Sequence, residues 1–306
     1  MKLLFSMPHL MEVRAITTPW ERSVTGAQMV SLAKWADRLG YAMISVPEHN
    51  VIPREHLDLS GAFHLASYPS MAFFAGATER IRINSCISIL PLQNPVIAAK
   101  TLSTMDWLSS GRVTATFGAC WLKGEFEALG VDFHQRGAMM EEYVQAIIEL
   151  WTKESPEFEG RYVKFRNVAF EPKCLQRPHL PIWFGGDAEP VLRRVARYAS
   201  GWHPFLTKLE DFPARIDFIK SQPDYSGKLK DIYVGFGVTR LGEGHVATGD
   251  ESGRAGQGRQ QILDRLGWFK DLGVTMSSVP IPPVRGIQEY YDYSQWIAED
   301  IMPAVA

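Results

Sequence analysis

The sequence predicts an α/β chain folded as a (β/α)8 TIM barrel, and three observations support this prediction. Short apolar runs alternate with longer stretches whose apolar residues recur at helical spacing, and eight such pairs fit into the 306 residues. Strands that alternate with helices pair in parallel through right-handed crossovers. Gly or Pro closes several of the elements, which separates one unit from the next. Eight parallel units favour a closed barrel, with an open doubly wound sheet as the alternative.

The predicted strands are short apolar runs, several of which end at Pro or Gly. In chain order they cover residues 2–7, 42–46, 81–90, 112–117, 181–184, 202–205, 231–239 and 274–279. The first helix repeats apolar residues from Met29 to Leu39 at helical spacing and stops at Gly40. A later helix opens with Asn94 as its N-cap and Pro95 in its first turn. The predicted helices cover residues 27–39, 70–78, 95–108, 137–151, 188–198, 209–221, 258–271 and 288–302.

Two segments interrupt the alternation. Residues 156–178 contain FEGRYVKF, which predicts a β-hairpin inserted after the fourth helix. Residues 242–258 form a Gly-rich loop after the seventh strand, either an active-site lid or an ordinary surface loop. Neither segment resembles a linker, so we expect residues 1–306 to form a single domain.

Composition excludes several classes of function. The chain has 32 Lys and Arg against 34 Asp and Glu, and no basic run that would follow a nucleic-acid backbone. Three distant cysteines form neither a disulfide framework nor a CxxC motif, and the histidines show no HxH or HExxH spacing, so no metal is expected. The first residues are too polar for a signal peptide or a membrane span. We therefore expect a cytoplasmic protein without nucleic-acid or membrane partners.

The carboxyl ends of the predicted strands carry the candidate functional residues, because barrel active sites lie at that end. Glu48 and His49 follow the second strand and could exchange a proton or simply cap a loop. Gly118 to Cys120 follow the fourth strand, where small residues allow a ligand to approach the backbone. Gly185 and Gly186 precede a helix and could bind an anion at its N-terminus, although turns also use such pairs.

Several motifs taken together resemble the bacterial luciferase-like monooxygenase family. They are NPVIAAK, SGR, the turn before WLKGEF, ALGV, RG, RPHLPIWFGG and the later SGWHP, within residues 41–204. The resemblance is greatest to the subgroup that uses the deazaflavin coenzyme F420. It implies a TIM-barrel oxidoreductase that transfers hydride between F420 and a small organic substrate. The alternatives are a monooxygenase that uses reduced FMN, O2 and a separate reductase, and a non-catalytic flavin-binding protein.

The resemblance also implies roles for individual residues. Glu48 and His49 would lie at the cofactor ring as catalytic residues, and a cis peptide at Cys86–Ile87 would support the ring. The implied cofactor-binding residues are Ser85, Cys86, Ile87, Gly118, Ala119, Cys120, Gly185, Gly186, Asp187 and Ala188. Trp20, Phe63, Tyr68 and Trp121 would line an apolar substrate pocket. A homodimer that buries helices 70–78 and 95–108 is also expected.

Overall fold

A closed barrel of eight parallel strands confirms the predicted fold class. The computed structural model describes residues 1–13, 17–236, 258–279, 281 and 284–306. The barrel strands are β1 (Lys2–Phe5), β2 (Met43–Val46), β3 (Arg82–Ile89), β4 (Val113–Gly118), β7 (Ile182–Gly185), β8 (Gly201–His203), β9 (Asp231–Gly235) and β10 (Met276–Ser278). They follow one another around the barrel in the order β1, β10, β9, β8, β7, β4, β3, β2. Each strand pairs in parallel with both neighbours, as the strand–helix alternation predicts.

The eight predicted helices are present, with ends that differ by a few residues. The described helices are α1 (Gly26–Leu39), α2 (Leu57–Ser60), α3 (Ser67–Ala77), α4 (Pro95–Leu108), α5 (Lys123–Ala128), α6 (Arg136–Thr152), α7 (Glu189–Tyr198), α8 (Phe212–Lys220), α9 (Arg259–Asp271), α10 (Ile287–Trp296) and α11 (Met302–Val305). Asn94 caps α4 through the amides of Val96 and Ile97, as predicted. The predicted last helix is divided by a π-helical turn over Ile297–Ile301. The short helices α2 and α5 are not predicted by the sequence.

The barrel interior is filled by side chains from strands on opposite sides. Leu4, Met43, Trp183 and Met276 form one buried cluster, and β7 is not a neighbour of the strands that supply the other three. A polar layer also crosses the interior. Asn84 is fully buried, donates to Ser45 Oγ at 3.3 Å, and accepts a hydrogen bond from Thr116 Oγ1 at 2.9 Å. The buried polar side chain of β3 is therefore satisfied by neighbours on β2 and β4 within the barrel.

Two segments are predicted to interrupt the strand–helix alternation, and the structure describes the first in full and little of the second. The hairpin is confirmed, since β5 (Phe158–Glu159) pairs in antiparallel fashion with β6 (Lys164–Phe165). Most of the Gly-rich loop, residues 242–257, lies outside the described residues, as does the end of the predicted seventh strand. Among the described helices, none is long and apolar enough to cross a membrane.

Candidate active site

The candidate residues meet at one end of the barrel, formed by the carboxyl ends of the strands and called the mouth below. The strands β2, β3, β4, β7 and β8 are consecutive neighbours, so the residues that follow them line one continuous arc. Parallel strands all present their carboxyl ends on the same side of a barrel. The mouth therefore collects Glu48 and His49, the bulge of β3, Gly118 to Cys120, and Gly185 to Ala188.

His49 is held by a buried carboxylate that the sequence analysis does not single out. Its Nδ1 lies 2.8 Å from Glu125 Oε2, and Glu125 is fully buried on α5. The backbone amide of Asn50 donates to Glu125 Oε1 at 2.5 Å, and Asn50 Nδ2 donates to the same atom at 3.1 Å. Three donors thus surround one carboxylate, which fixes the orientation of the His49 ring.

The protonation of Glu125 follows from these contacts. Burial alone raises the pKa of a carboxyl group, but the hydrogen bonds from His49 and Asn50 outweigh it, and the pKa of Glu125 is lowered. The ionised carboxylate can only accept hydrogen bonds, so His49 Nδ1 carries the proton that it shares with Glu125. Glu125 thus engages Nδ1, and Nε2 is the ring nitrogen that a proton-exchange role would require.

Close packing brings α5 against the segment that follows β2. A Cβ atom at Gly124 would approach Pro53 Cγ to 2.6 Å, so only glycine allows the two segments to come this near. Trp121, just before α5, contacts His56 edge to face, with ring centroids 5.2 Å apart. The segment around Pro53 therefore forms one wall beside His49.

Glu48 supports the bulge of β3. Its Oε2 accepts the backbone amide of Ile89 at 2.5 Å and the Ser88 hydroxyl at 3.3 Å, and Gln93 Nε2 donates to both of its oxygens. Burial raises the pKa of Glu48, against the effect of these donors. A role for Glu48 at the cofactor ring stays a prediction, and its observed contacts are those of a support behind β3.

The bulge projects Ile87 towards two glycines at the mouth. The pairing of β3 with β4 shifts register between Cys86 and Ser88, and the Cys86–Ile87 peptide is cis, as the resemblance implies. A Cβ atom on either Gly118 or Gly185 would come within 3.0 Å of the Ile87 side chain. Gly118 and Gly185 are therefore required for Ile87 to occupy its place between β4 and β7.

A thiol–imidazole pair lies beside the bulge. Cys86 Sγ is 3.1 Å from His203 Nδ1, and the His203 ring packs against Tyr233 with centroids 4.7 Å apart. Burial raises the pKa of Cys86 to about 12 and lowers the pKa of His203 to about 4. Both groups are neutral near pH 7, so the thiol donates to an imidazole that has no charge. Ser85, the preceding residue, is fully buried and bonds to the backbone of Thr116.

The N-terminus of α7 is the predicted anion site. Its N-cap residue, Ala188, provides no side-chain cap, but Pro190 has no amide hydrogen and the amides of Val191 and Leu192 donate to the Ala188 carbonyl, so the Glu189 amide is what the first turn offers an anion. Asp187 turns its carboxylate away, where it accepts the backbone amides of Phe205, Leu206 and Thr207. These donors compensate the negative charge of Asp187, which reduces its repulsion of an anion at the helix.

The turn after β4 completes the same edge. Cys120 has a left-handed backbone conformation with φ of 59°, and its carbonyl accepts a hydrogen bond from Arg136 Nε at 3.1 Å. Ala119 and Cys120 are partly exposed at this turn. Because β4 pairs with β7, the turn lies next to Gly185 and Gly186. The backbone segments that follow β4 and β7 therefore lie side by side, where a single anionic group could contact both.

The four predicted pocket residues lie in different surroundings. Trp20 is buried against Tyr290, with ring centroids 5.6 Å apart. Phe63 is exposed and stacks on His9 at 4.2 Å, and Tyr68 forms a hydrogen bond of 2.9 Å with Ser88. Trp121 is partly exposed near His56. Their assignment to a substrate pocket stays a prediction, and Trp121 is the one that lies on the same turn as Cys120.

Sequence reasoning misses Asn50, Glu125 and His203 as site residues. Glu125 lies in WLKGEF, one of the motifs on which the resemblance depends, so the motif itself was the available signal. His203, in SGWHP, lies inside the predicted sixth strand, residues 202–205, but is the last residue of β8 in the structure, so the misplaced strand end hid its position at the mouth.

The fold and site together define a (β/α)8-barrel enzyme with a carboxylate-held histidine at its mouth. The family model for luciferase-like monooxygenase matches residues 7–266. The chain therefore belongs to the luciferase-like monooxygenase family, a family of oxidoreductases.

Curated relatives and solved structures agree with this family. An uncharacterised protein of Mycobacterium tuberculosis is 31% identical over 195 residues, covering 60% of this chain and 68% of that protein. An FMNH2-dependent dimethylsulfone monooxygenase of Pseudomonas putida is 30% identical over 161 residues, covering 52% of this chain and 44% of that enzyme. Monooxygenase RslO1 of Streptomyces bottropensis superposes over 99% of this chain and 100% of its own, with a TM-score of 0.79 and 19% identity. An F420-dependent secondary alcohol dehydrogenase covers 100% of both chains, with a TM-score of 0.73 and 16% identity.

Proposed function

We propose that this chain is an oxidoreductase that binds reduced FMN at the mouth and oxygenates a small organic substrate with O2. The observation that carries the proposal is the His49–Glu125 pair, a proton-exchanging group held at the mouth beside an uncapped helix N-terminus. The relative from Pseudomonas putida, which is FMNH2-dependent, supports the choice of cofactor. Its match covers less than half of that enzyme, so the substrate class remains part of the proposal.

The residues at the mouth fit a planar cofactor that carries a phosphate. The α7 N-terminus and the turn after β4 would bind the phosphate through backbone amides. Ile87, fixed between Gly118 and Gly185, would pack against the ring. Reduced FMN, when bound, would supply the electrons that activate O2 for oxygen transfer, which side chains alone cannot provide.

The chain's own contribution is binding, orientation and proton handling. Glu125 keeps the His49 proton on Nδ1, so that Nε2 can accept or return a proton at the reacting group. Glu48 and Gln93 hold Ser88 and Ile89, which fixes the backbone on which Ile87 projects. The buried wall around Glu125 excludes water from the carboxylate and strengthens its attraction for the imidazole proton.

The second candidate is hydride transfer with coenzyme F420, which the sequence motifs favour. The whole-chain similarity to the F420-dependent alcohol dehydrogenase, at 16% identity, supports the shared fold alone. The same proton role of His49 would then serve the reduction of a ketone or the oxidation of an alcohol.

Two parallel assays distinguish the candidates. In the first, the chain receives reduced FMN from a flavin reductase, O2 and dimethylsulfone, with catalase added to remove peroxide. In the second, it receives F420 and a panel of secondary alcohols, and F420 absorbance is followed. Organic product in the first assay, lost in His49→Gln while FMN binding is retained, supports the proposal. F420 reduction with no product from FMN overturns it in favour of the second candidate.

We further propose that the chain forms a homodimer through α3 and α4. Large apolar side chains are exposed on these neighbouring helices, namely Phe73, Ile97, Trp107 and Leu108. Exposed apolar surface of this kind marks interaction sites. Light scattering after size-exclusion chromatography should give twice the mass of one chain if the homodimer forms. The cytoplasmic location, the single-domain organisation and the separate reductase likewise remain proposals.

A further inference from the structure

Three metal-ligand side chains that are distant in sequence meet at the mouth. His49 follows β2, Cys120 follows β4, and Glu125 lies on α5; one ligand atom from each lies within 4.8 Å of the other two. The spacing of these three residues in the sequence matches no metal-binding motif, because it is the closure of the barrel that brings them together. The His49 side chain is 12% exposed and Cys120 is partly exposed, so an ion can enter from the mouth.

We propose that His49, Cys120 and Glu125 form a binding site for a thiophilic divalent cation, with Zn²⁺ as the representative ion, and that this ion reversibly inhibits the enzyme. Sulfur, imidazole nitrogen and carboxylate oxygen are the ligands that Zn²⁺ takes, and the sulfur disfavours Mg²⁺ and Ca²⁺. Three protein ligands leave a fourth position for water.

The separation of the ligand atoms is close to that required. With metal–ligand distances of roughly 2.0–2.3 Å, a tetrahedral ion needs ligand atoms about 3.4–3.6 Å apart. The observed limit of 4.8 Å therefore requires any two of the ligand atoms to approach by about 1.4 Å at most. The left-handed Cys120 belongs to a turn rather than a strand, and side-chain rotation there can supply this adjustment.

The charges also favour a dication. A bound ion would be coordinated by the Glu125 carboxylate and the Cys120 thiolate, so that two negative charges would face the two positive ones. Because cysteine binds metal ions as thiolate and a free cysteine is mostly thiol near pH 7, each ion that binds should release about one proton.

Inhibition follows from the ligand that the ion takes. A His49 ring coordinated to a metal no longer carries a proton to and from a bound molecule, so turnover stops until the ion is removed. This part of the inference rests on the proposed function, whereas ion binding itself does not.

Cobalt provides the test of binding. The full chain is stripped with a chelator and titrated with Co²⁺ alone, without cofactor. We expect about one ion per chain, with a thiolate-to-cobalt band in the near ultraviolet and the strong visible bands of four-coordinate cobalt. Calorimetry in two buffers of different ionisation enthalpy should show about one proton released per ion. Cys120→Ser should abolish the near-ultraviolet band, and Glu125→Gln should weaken binding by at least about tenfold.

The other two cysteines provide matched controls. Cys174→Ser removes a buried thiol outside the cluster, and Cys86→Ser removes the thiol beside His203, where two ligands are present. Both variants should retain the band. The absence of a band in the wild type, its survival in Cys120→Ser, or its loss in Cys86→Ser would each overturn the site. If Zn²⁺ binds at Cys120 without slowing a measurable turnover, the inhibition is overturned. If neither cofactor supports turnover, the cobalt spectrum still decides whether the site exists.

Discussion

Replacing Glu125 with Gln should move the proton of His49 from one ring nitrogen to the other. In the wild type, the carboxylate accepts from His49 Nδ1 at 2.8 Å and from two donors of Asn50 at 2.5 and 3.1 Å. A glutamine has one acceptor and one donor group in their place. Its oxygen should face the two Asn50 donors, because the backbone amide cannot turn away. The NH2 group then faces Nδ1, which must become an acceptor, so the proton resides on Nε2.

The expected size of the effect follows from the charge on Glu125. A hydrogen bond to a charged group contributes roughly 1.5–3 kcal/mol. At about 1.36 kcal/mol per factor of ten, this corresponds to a preference of about 10- to 150-fold for the Nδ1–H tautomer. We therefore expect that tautomer to exceed about 90% in the wild type and to become the minor form in Glu125→Gln. Turnover should fall by a similar factor, because Nε2 can no longer accept a proton.

Long-range ¹H–¹⁵N correlation on histidine-labelled protein distinguishes the two tautomers. The spectra are recorded about two pH units above the ordinary imidazole pKa of about 6.5. The chain has eight histidines, and His49→Gln assigns the relevant signal by its loss. Glu127→Gln is the matched control, since Glu127 lies on the same helix but is exposed and paired with Lys123. An unchanged His49 signal in folded Glu125→Gln would refute the reasoning. The reasoning would also be refuted if Glu125→Gln reduced turnover as much in a His49→Gln background as in the wild type.

Three further changes test other parts of the structure. Gly118→Ala should weaken FMN binding at least about tenfold in a fluorescence titration, because the new methyl group collides with Ile87. Gly76→Ala is the control, since its new methyl group meets nothing within 4 Å, and it should leave FMN binding unchanged. Equal effects of the two variants would contradict a role for the packing of Ile87 against Gly118 in FMN binding. Asp37→Asn should lower the free energy of unfolding by roughly 1.5–3 kcal/mol in urea. Burial opposes ionisation of Asp37, but hydrogen bonds from the amides of residues 79–81 outweigh it and lower the pKa of Asp37 in the folded protein. Asp37 therefore contributes to stability above its unfolded pKa of about 3.9, and this contribution is lost as the pH falls through its folded pKa. If the stability difference between Asp37→Asn and wild type persisted in acid, this cause would be excluded. Trp107→Glu should halve the mass measured by light scattering if α4 is buried in a dimer, whereas an unchanged dimer mass would move the interface elsewhere.

The barrel was predictable because its signals are local. Each strand is a short apolar run and each long helix repeats its apolar residues, so the element order follows from nearby residues alone. The short helix α5, KGEFEA, has no room for a helical repeat and was missed. Its Glu125 pairs with a residue 76 positions away, and Cys86 pairs with a residue 117 positions away. Contacts of this kind depend on strand order and register, which a local pattern does not contain.

The division of labour between the two glutamates shows why the local Glu48–His49 motif was incomplete. Side chains of consecutive residues in extended chain project to opposite sides, so neighbours in sequence seldom act on the same atom. Glu48 accordingly turns towards Ser88 and Ile89 of β3, while His49 turns towards α5 and acquires Glu125. One carboxylate supports the backbone that carries Ile87, and the other sets the proton position on the imidazole. Neutralising Glu48 should therefore disturb the binding surface around Ile87 and leave the His49 tautomer unchanged. Neutralising Glu125 should change the His49 tautomer and leave that surface intact.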